Sequence, residues 1–452
     1  MTERSSSQGG IVVLGGGPAG GAVAIGLRRL GYSVTLIAQP RPFLTVAGIS
    51  ESTVARMKRA GFSFALRDLP EPCDKLISWN SMLRHSSEHL INSNEVDRGI
   101  LLDLRSAGIT VIEAHVGKIT AFGNGYQVEV IDDEGTRVLG ASFLVEARGR
   151  MAPTQGVERI RGDQSLVLQY FWQEQPCQPG TVVQSFSQGH AWLATWFDGS
   201  RYLNLTMDTE DLDLSDKQAV RRQGQRVLTS LEHILPMCPS QLDSCAVHAR
   251  SGTATLVTEA IADNWIRVGD AALAVDGILN SSIGDTLHTV AVVPAVINTL
   301  IQKPDNAGIA REYYQNWLEH QFYRLSRKNH QVYCEEQLWS MQPYWYKRQR
   351  WPEHWPEPEL GDDTQLQIDL SKAELGMRPV LIDNYIELDE VVITDAQPLG
   401  IQSLNGVPLV AMLKALRQAS DSGNTESPLE RLDDISSEHR RYLSLWLKHR
   451  TA

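Results

Sequence analysis

Five cysteines among 452 residues, odd in number and with no C-x-x-C pair, leave this chain without a disulfide framework or a cysteine-rich metal knuckle. Scattered free thiols fit a reducing compartment, and the cytoplasm is the expected location. Positive charge is in deficit: 42 Lys and Arg stand against 54 Asp and Glu, a formal net charge of −12. Nucleic acid and anionic membrane surfaces need clustered cations, so neither is expected as a partner. Long hydrophobic runs are scarce as well. The apolar stretch from Thr289 to Ile301 falls short of the roughly 20 residues that span a bilayer, and the polar start Thr2 to Gln8 does not read as a signal peptide.

With 42% hydrophobic residues, the chain is long enough for two or three domains with substantial cores. Its organising stretch is Ile11-Val-Val-Leu-Gly-Gly-Gly-Pro-Ala-Gly20, an apolar strand that stops at a glycine turn and leads into a helix over Gly21 to Leu30. Gly15 permits the tight turn, Gly17 lets backbone approach a pyrophosphate, and Gly20 lets helix pack on strand; Pro18 and Ala19 belong to the same cofactor-binding turn, and the unpaired N–H groups of the helix meet the phosphates. Gly31 then closes the helix, and Ser33 to Ala38 supplies the second parallel strand of a βαβ unit. The acid that usually ends that strand and holds a ribose is missing. Ala38 and Gln39 stand there, and Gln39 is the candidate ribose partner. The turn alone predicts a dinucleotide and leaves NAD and FAD both open.

Further along, Gly48-Ile-Ser-Glu-Ser-Thr53 opens a helix that Ser50 or Ser52 can cap. Lys75 and Trp79 lie four apart, as do His85 and His89; the histidines at helical spacing have no third ligand nearby, so a solvated face is expected and no metal. Asn94 to Ala107 reads as a helix and Ile109 to Glu113 as a strand. Gln127 to Ile131 and Arg137 to Leu139 form a hairpin around Gly135, and Phe143 to Ala147 returns as a buried strand. Between Ser165 and Arg250 the pattern changes to short strands (Leu166 to Trp172, Thr181 to Phe186, Ala191 to Phe197, Tyr202 to Met207) with one helix at Lys217 to Ile234. This predicts an inserted antiparallel sheet. Trp265 to Val268 then runs into Gly269-Asp270, followed by a long apolar helix from Asp285 to Leu300.

Taken in order, Gly15-Gly-Gly-Pro-Ala-Gly20, Val96-Asp-Arg98, Ala147-Arg-Gly149 and Gly269-Asp-Ala-Ala272 resemble the motif set of FAD-dependent monooxygenases and halogenases of the p-hydroxybenzoate hydroxylase type, over roughly residues 10 to 330. The resemblance implies FAD as cofactor, with Arg98 beside the pyrophosphate and Gly269 and Asp270 at the ribityl hydroxyls, where a carboxylate accepts hydrogen bonds from a polyol. Ser50-Glu-Ser-Thr53 and Val275-Asp-Gly-Ile-Leu-Asn-Ser-Ser-Ile-Gly284 are similar to loops of the flavin-dependent tryptophan halogenases, which places Ser52, Ser282, Ile283 and Gly284 at the flavin and Lys75 with Trp79 in the region of the halogenase lysine. Two departures weigh against halogenation: W-x-W-x-I-P is replaced by Ala191-Trp-Leu-Ala-Thr-Trp-Phe197, and Gly277 stands at the loop proline.

The resemblance therefore implies an oxygenase in which reduced flavin activates dioxygen and passes one oxygen atom to an electron-rich ring. Lys75 is either a proton donor to that chemistry or a solvated lysine. His190, Trp192 and Trp196 share one face of the inserted sheet by even spacing, as substrate-side residues or as core. Beyond Phe322 the tail crowds Trp339, Tyr344, Trp345, Tyr346, Trp351 and Trp355 among prolines, either wrapping the preceding domains or holding an extended peptide. An oxygenase of this kind with an added domain resembles flavoproteins that hydroxylate a protein-borne tryptophan during cysteine tryptophylquinone biogenesis in quinohemoprotein amine dehydrogenases. The expected architecture is α/β: a Rossmann-like FAD-binding domain with parallel sheet and β-meander (1–155 and 255–330), an inserted antiparallel-sheet substrate domain (156–254), and a small C-terminal α+β domain (331–452). The expected partners are an aromatic substrate, free or carried on a tryptophan-containing polypeptide, dioxygen, and an electron source that is NAD(P)H itself or a separate flavin reductase. A flavin-dependent halogenase and an FAD-binding module without oxygenase chemistry are the alternatives.

Overall fold

The computed structural model of the chain describes residues 10–352 and 373–421, apart from 42, 211, 213, 240, 243–244, 280–281, 395–396 and 405–406. Two compact units emerge: Met1–Asn298 with Leu318–Glu353, and Thr299–Trp317 with His354–Ala452. Residues 331–353 thus belong to the first unit, where the sequence suggested the start of a separate C-terminal domain.

A five-stranded parallel sheet forms the base of the first unit, in the order Trp265–Arg267, Phe143–Glu146, Ile11–Leu14, Val34–Ala38, Thr110–Glu113. Its central strands are buried throughout, as continuous Val, Ile and Leu runs require when helices cover a parallel sheet. Helices Pro18–Arg29 and Ser93–Ser106 provide crossovers; Pro18 sits at the first helical turn and Gly31 lies just beyond the end at φ +91°. The expected meander is present as His115–Phe122, Gly125–Asp132 and Gly135–Ala141.

The second sheet has eight strands, ordered Ala246–Ser251, Leu166–Gln173, Ser200–Met207, Gly189–Thr195, Gly180–Phe186, Cys73–Trp79, Met82–Asn92, Val46–Ile49. It is not confined to residues 156–254. Three strands come from the N-terminal segment, joined through a parallel pairing of Cys73–Trp79 with Gly180–Phe186. The stretch of mixed pattern around Lys75 and His89 is a hairpin, turned at Asn80 and Ser81, whose φ values of 51° and 58° suit a tight two-residue turn. One face of the sheet packs Leu168, Tyr170, Leu193 and Leu205 against Val227 and Leu228 of helix Lys217–Leu228, which stops short of the expected Ile234. The other face carries Trp79, Val183, Trp192 and Tyr202, covered by Tyr333, Tyr344 and Trp345.

The late apolar helix is two helices, Ser282–Val290 and Val293–Gln302. Pro294 is the reason. It cannot continue an i→i−4 ladder, but it fits a first turn, and its ring lies where a Cβ on Gly26 would stand. Taken together, Ser282–Gln302 is long and apolar enough to cross a bilayer, longer than the run read from the sequence, yet 72% of its apolar window is buried within the protein.

In the second unit, Glu374–Ile382, Tyr385–Thr394 and Gln397–Ile401 form an antiparallel sheet beside helix Leu409–Asp421. The backbone N–H of Ile386 donates to the Thr299 hydroxyl at 2.8 Å, and Lys303 pairs with Glu387. The helix expected over Ser427 to Lys448 lies outside the described residues.

Candidate flavin site and the sheet beside it

Four sequence-distant motifs meet at the carboxyl end of the parallel sheet. Gly15 has φ +113°, and a Cβ there would collide with the Ala147 carbonyl; a Cβ on Gly20 would collide with the Gly15 carbonyl. Gly269, at φ +57°, leaves a would-be Cβ 2.5 Å from that of Ala19, and Gly149, at φ +59°, faces Asp270. Gly15 and Gly20 are required by contact with backbone carbonyls, and Gly149 and Gly269 by their left-handed φ. Gly17 differs: a Cβ there would meet only the Arg41 guanidinium, 4.0 Å away, so the space in front of the turn is open. The helix behind it has Gly17 as N-cap and no side-chain cap, leaving first-turn N–H groups free for an anion.

Around that opening the chain sets charge. Arg41 pairs with Asp97 at 2.5 Å, and the neighbouring Arg98 is exposed with no polar partner among the described residues. Burial raises the Asp97 carboxyl despite the counteracting Arg41. Gln39 is exposed at the end of its strand. The Asp270 carboxylate is 40% exposed and has Arg150 Nε at 3.6 Å. Nearby, Ser50 caps helix Glu51–Ala60 and Ser52 bonds to the Ser50 hydroxyl at 2.9 Å. The same helix touches the loop of Ser282, Ile283 and Gly284: Arg56 donates to the Gly284 carbonyl at 2.9 Å, and a Cβ on Gly284 would lie 2.6 Å from the Thr53 hydroxyl. An open glycine, uncapped N–H groups, two arginines and an accessible carboxylate together fit a flavin dinucleotide.

On the eight-stranded sheet, Lys75 is not solvated. Its side chain is 15% exposed and donates to Glu88 at 2.8 Å, while Glu88, 5% exposed, also accepts from the Thr181 hydroxyl at 2.7 Å and from Trp192 Nε1 at 3.2 Å. Gly48 is small because that carboxylate fills the position of its Cβ. Trp79 is core: its Nε1 donates to the Val332 carbonyl and its ring meets Trp345 edge-on at 5.2 Å. His190 and Trp192 share the aromatic face, as the even spacing predicts, whereas Trp196 lies just past the strand end at Thr195 and packs partly buried against it.

The histidine pair sits on a strand, not a helix. His85 is beside Asp74, and His89 bonds Glu51 at 2.8 Å and the Pro70 carbonyl at 2.7 Å. No group of three metal-ligating side chains occurs among the described residues. The tail resolves toward wrapping. Tyr344 and Trp345 are buried, Trp345 Nε1 donates to the Phe186 carbonyl at 2.9 Å, and Trp351 packs beside Gly162. These rings are spent on the sheet, the wrapping alternative of the two that the sequence left open; Trp355 lies outside the described residues.

Sequence reasoning missed Arg41 and Glu88. Only the register of the hairpin reveals Glu88, because it places Glu88 opposite Cys73, diagonal to Lys75.

Comparison with known proteins identifies the scaffold. No protein-family model matches the sequence. The solved structure of QhpG, a peptidyl tryptophan dihydroxylase essential for tryptophylquinone cofactor biogenesis, is 36% identical over 99% of this chain and 100% of its own, with a TM-score of 0.84. A curated relative from Marinomonas mediterranea, LodB, described as an FAD-dependent oxidoreductase, is 24% identical over 75% of this chain and 96% of its own length. The flavin-dependent halogenase CmlS shares the fold at 17% identity and TM-score 0.69, across 98% of this chain and 94% of its own. The mixed α/β architecture, the glycine turn and its converging loops, and full-length similarity to a hydroxylase thus have one explanation: the chain belongs to the QhpG family of flavin-dependent monooxygenases.

Proposed function

We propose that the protein binds FAD and hydroxylates a tryptophan side chain carried on a polypeptide, during maturation of a tryptophylquinone cofactor. The observation that carries this reading is the full-length 36% identity to a peptidyl tryptophan dihydroxylase. It is supported by the convergence of the glycine turn, Ala147-Arg-Gly149 and Gly269-Asp270 at one open edge.

In this reading the bound cofactor, once reduced, supplies activation of dioxygen and transfer of one oxygen atom to the ring. The chain's own residues do the rest. Gly15, Gly17, Pro18, Ala19 and Gly20 present first-turn N–H groups to the pyrophosphate, with Arg41 and Arg98 as cations beside it and Gln39 toward the ribose. Asp270 accepts from ribityl hydroxyls, and the helix starting at Ser282 brings its positive end, with Ile283 and Gly284, to the flavin ring. The domain assignment follows: parallel sheet and meander hold FAD, and the eight-stranded sheet forms the substrate side.

Lys75 is held by Glu88 in a neutralised pair. A lysine so committed is a poor carrier for a halide-derived oxidant, which favours hydroxylation over halogenation. The test is mass spectrometry of the tryptophan-bearing polypeptides encoded beside this gene, after incubation with FAD-loaded enzyme, a flavin reductase and labelled dioxygen. Incorporation of labelled oxygen at tryptophan is expected. Chlorine or bromine incorporation, or turnover of free tryptophan with every polypeptide left unmodified, would refute the proposal.

A further inference from the structure

With Tyr344 and Trp345 of the tail packed onto the eight-stranded sheet, a polypeptide substrate needs another seat. That sheet has two edge strands. Val46–Ile49 is buried at three of its four residues, whereas Ala246–Ser251 is exposed at every residue but Val247. The ladder fixes which backbone groups the exposed edge presents. Gly252 N–H donates to the Ser165 carbonyl at 2.9 Å, and pairing continues without a bulge from Leu166 opposite Ser251 to Phe171 opposite Ala246. Hydrogen-bonded pairs recur at every second residue of an antiparallel ladder, so Ala246, His248 and Arg250 bond inward to Leu166–Gln173. Val247, Ala249 and Ser251 therefore turn their N–H and C=O groups outward, where none has a hydrogen-bond partner among the described residues. Neither a proline nor a bulge blocks this edge.

Side chains alternate across the strand. Val247 packs into the core with Val227 and Leu228 of helix Lys217–Leu228, so His248 and Arg250 stand on the opposite face, the one that carries Tyr202. His248 stacks on Phe43 at 4.9 Å, two residues from the Arg41 guanidinium that faces Gly17 at the glycine turn. Arg250 is exposed, lies within electrostatic range of Arg41, Arg150 and Asp270, and has no hydrogen bond or ion pair to a described residue. The outward edge of Ala246–Ser251 thus runs along the opening assigned to the flavin.

We infer that the polypeptide substrate docks as an added strand on Ala246–Ser251, pairing its backbone with the outward N–H and C=O groups of Val247, Ala249 and Ser251. The inference rests on the hydroxylase reading and deepens it by naming how the polypeptide is held. Main-chain pairing supplies affinity, and every second side chain of the added strand falls on the face of His248 and Arg250, beside the flavin opening. The target tryptophan belongs to that set. An acidic residue two positions from it would meet the unpaired Arg250, so the substrate class is an extended segment with a tryptophan and a carboxylate on one side. Free tryptophan has no strand to add and gains none of this pairing.

Residue-resolved hydrogen–deuterium exchange of the FAD-loaded protein tests the docking. Alone, the Val247, Ala249 and Ser251 amides are expected to exchange fast, having no acceptor. Saturation with the tryptophan-bearing polypeptides encoded beside this gene is expected to slow them by about 10-fold or more, while His248 and Arg250, already bonded in the ladder, change little. Ala249→Pro deletes an N–H that the ladder does not use, a place where an edge strand tolerates proline. It is expected to raise KM for the polypeptide by about 10-fold or more and to abolish the slowing at Val247 and Ser251. If that variant does not fold, exchange in the parent decides alone. Hydroxylation of the polypeptide with no slowing at the three amides, or a folded Ala249→Pro protein with parental KM, would overturn the docking and leave the hydroxylase reading standing. Slowed amides with no oxygen incorporated would uphold the docking and overturn the hydroxylase reading; polypeptides that neither slow the amides nor gain oxygen would overturn both.

Discussion

Replacing Glu88 by alanine should be among the most damaging single changes outside the flavin edge. The carboxylate gathers three donors in a nearly dry place, and its removal strands the Lys75 ammonium, 15% exposed, together with the Thr181 hydroxyl and the Trp192 N–H. Losing one partner of a buried ion pair costs about 3–5 kcal/mol, because the other charge stays desolvated. Thr181 can rotate toward other acceptors, but Trp192 cannot, and an orphaned N–H adds about 1 kcal/mol that overlaps with the first loss. A total of about 4 kcal/mol is expected, read as a fall in melting temperature on the order of 5–10 °C. Lys75→Met alone should also destabilise, by leaving the carboxylate uncompensated. The double variant Lys75→Met with Glu88→Ala should recover about 2 kcal/mol of the summed loss, since neither charge remains buried. Differential scanning calorimetry of the four proteins without flavin measures this coupling. A Glu88→Ala protein that melts within a degree of the parent, or additive single losses, would refute the buried-hub account.

Gly17→Glu is expected to abolish the flavin absorbance bands after reconstitution and gel filtration while melting like the flavin-free parent, because the new side chain enters open space facing only Arg41; bands retained at parental intensity would remove the turn from the site. Gly15→Ala should instead lower stability by about 1–3 kcal/mol, since it forces both a left-handed backbone and a clash with the Ala147 carbonyl. Trp345→Ala, at a fully buried ring, should cost about 3–5 kcal/mol in denaturant titrations and loosen the tail from the sheet. Burial holds His190, His288 and His320 down at about 4, so between pH 6.5 and 4 the unfolded chain binds more protons than the folded one. Stability is then full above pH 6.5 and is lost as pH falls through that window, by about 3 kcal/mol for His190 alone; a melting temperature flat across the window would contradict its burial.

The parallel base of the fold was legible because each of its elements declares itself locally. Ile11 to Leu14 is a continuous apolar run, the glycines stop it, and Gly31 ends the helix. What the sequence concealed depends on pairing between distant segments. Lys75 is ambiguous from the sequence because its neighbours Leu76, Ile77 and Trp79 do not say what a lysine among them meets; its environment is made by Glu88 across a hairpin and by Thr181 and Trp192 from a hundred residues later. His85 and His89 invited a helical reading from spacing alone, yet the same interval of four also puts two side chains on one face of a strand. Pro294 is a local signal against an unbroken helix, and the break falls just before it. Tyr333 and Asp276 meet through a tertiary contact that no local pattern announces, and a Trp-rich tail looks the same whether it wraps its own sheet or waits for a partner.

The pairing of Cys73–Trp79 with Gly180–Phe186 has a consequence for recombining this scaffold with its relatives. A graft of the substrate-side sheet cannot travel as one cassette, because residues 46–92 and 166–251 abut in a single hydrogen-bonded layer while the flavin-side helix Ser93–Ser106 and meander lie between them in the chain. A crossover placed anywhere in 93–165 joins half-sheets of different parentage along that one seam. Mismatched strands there would expose backbone donors and acceptors as sticky edges, and such hybrids should precipitate. Exchanging both blocks together, and leaving the interval untouched, keeps the seam within one parent.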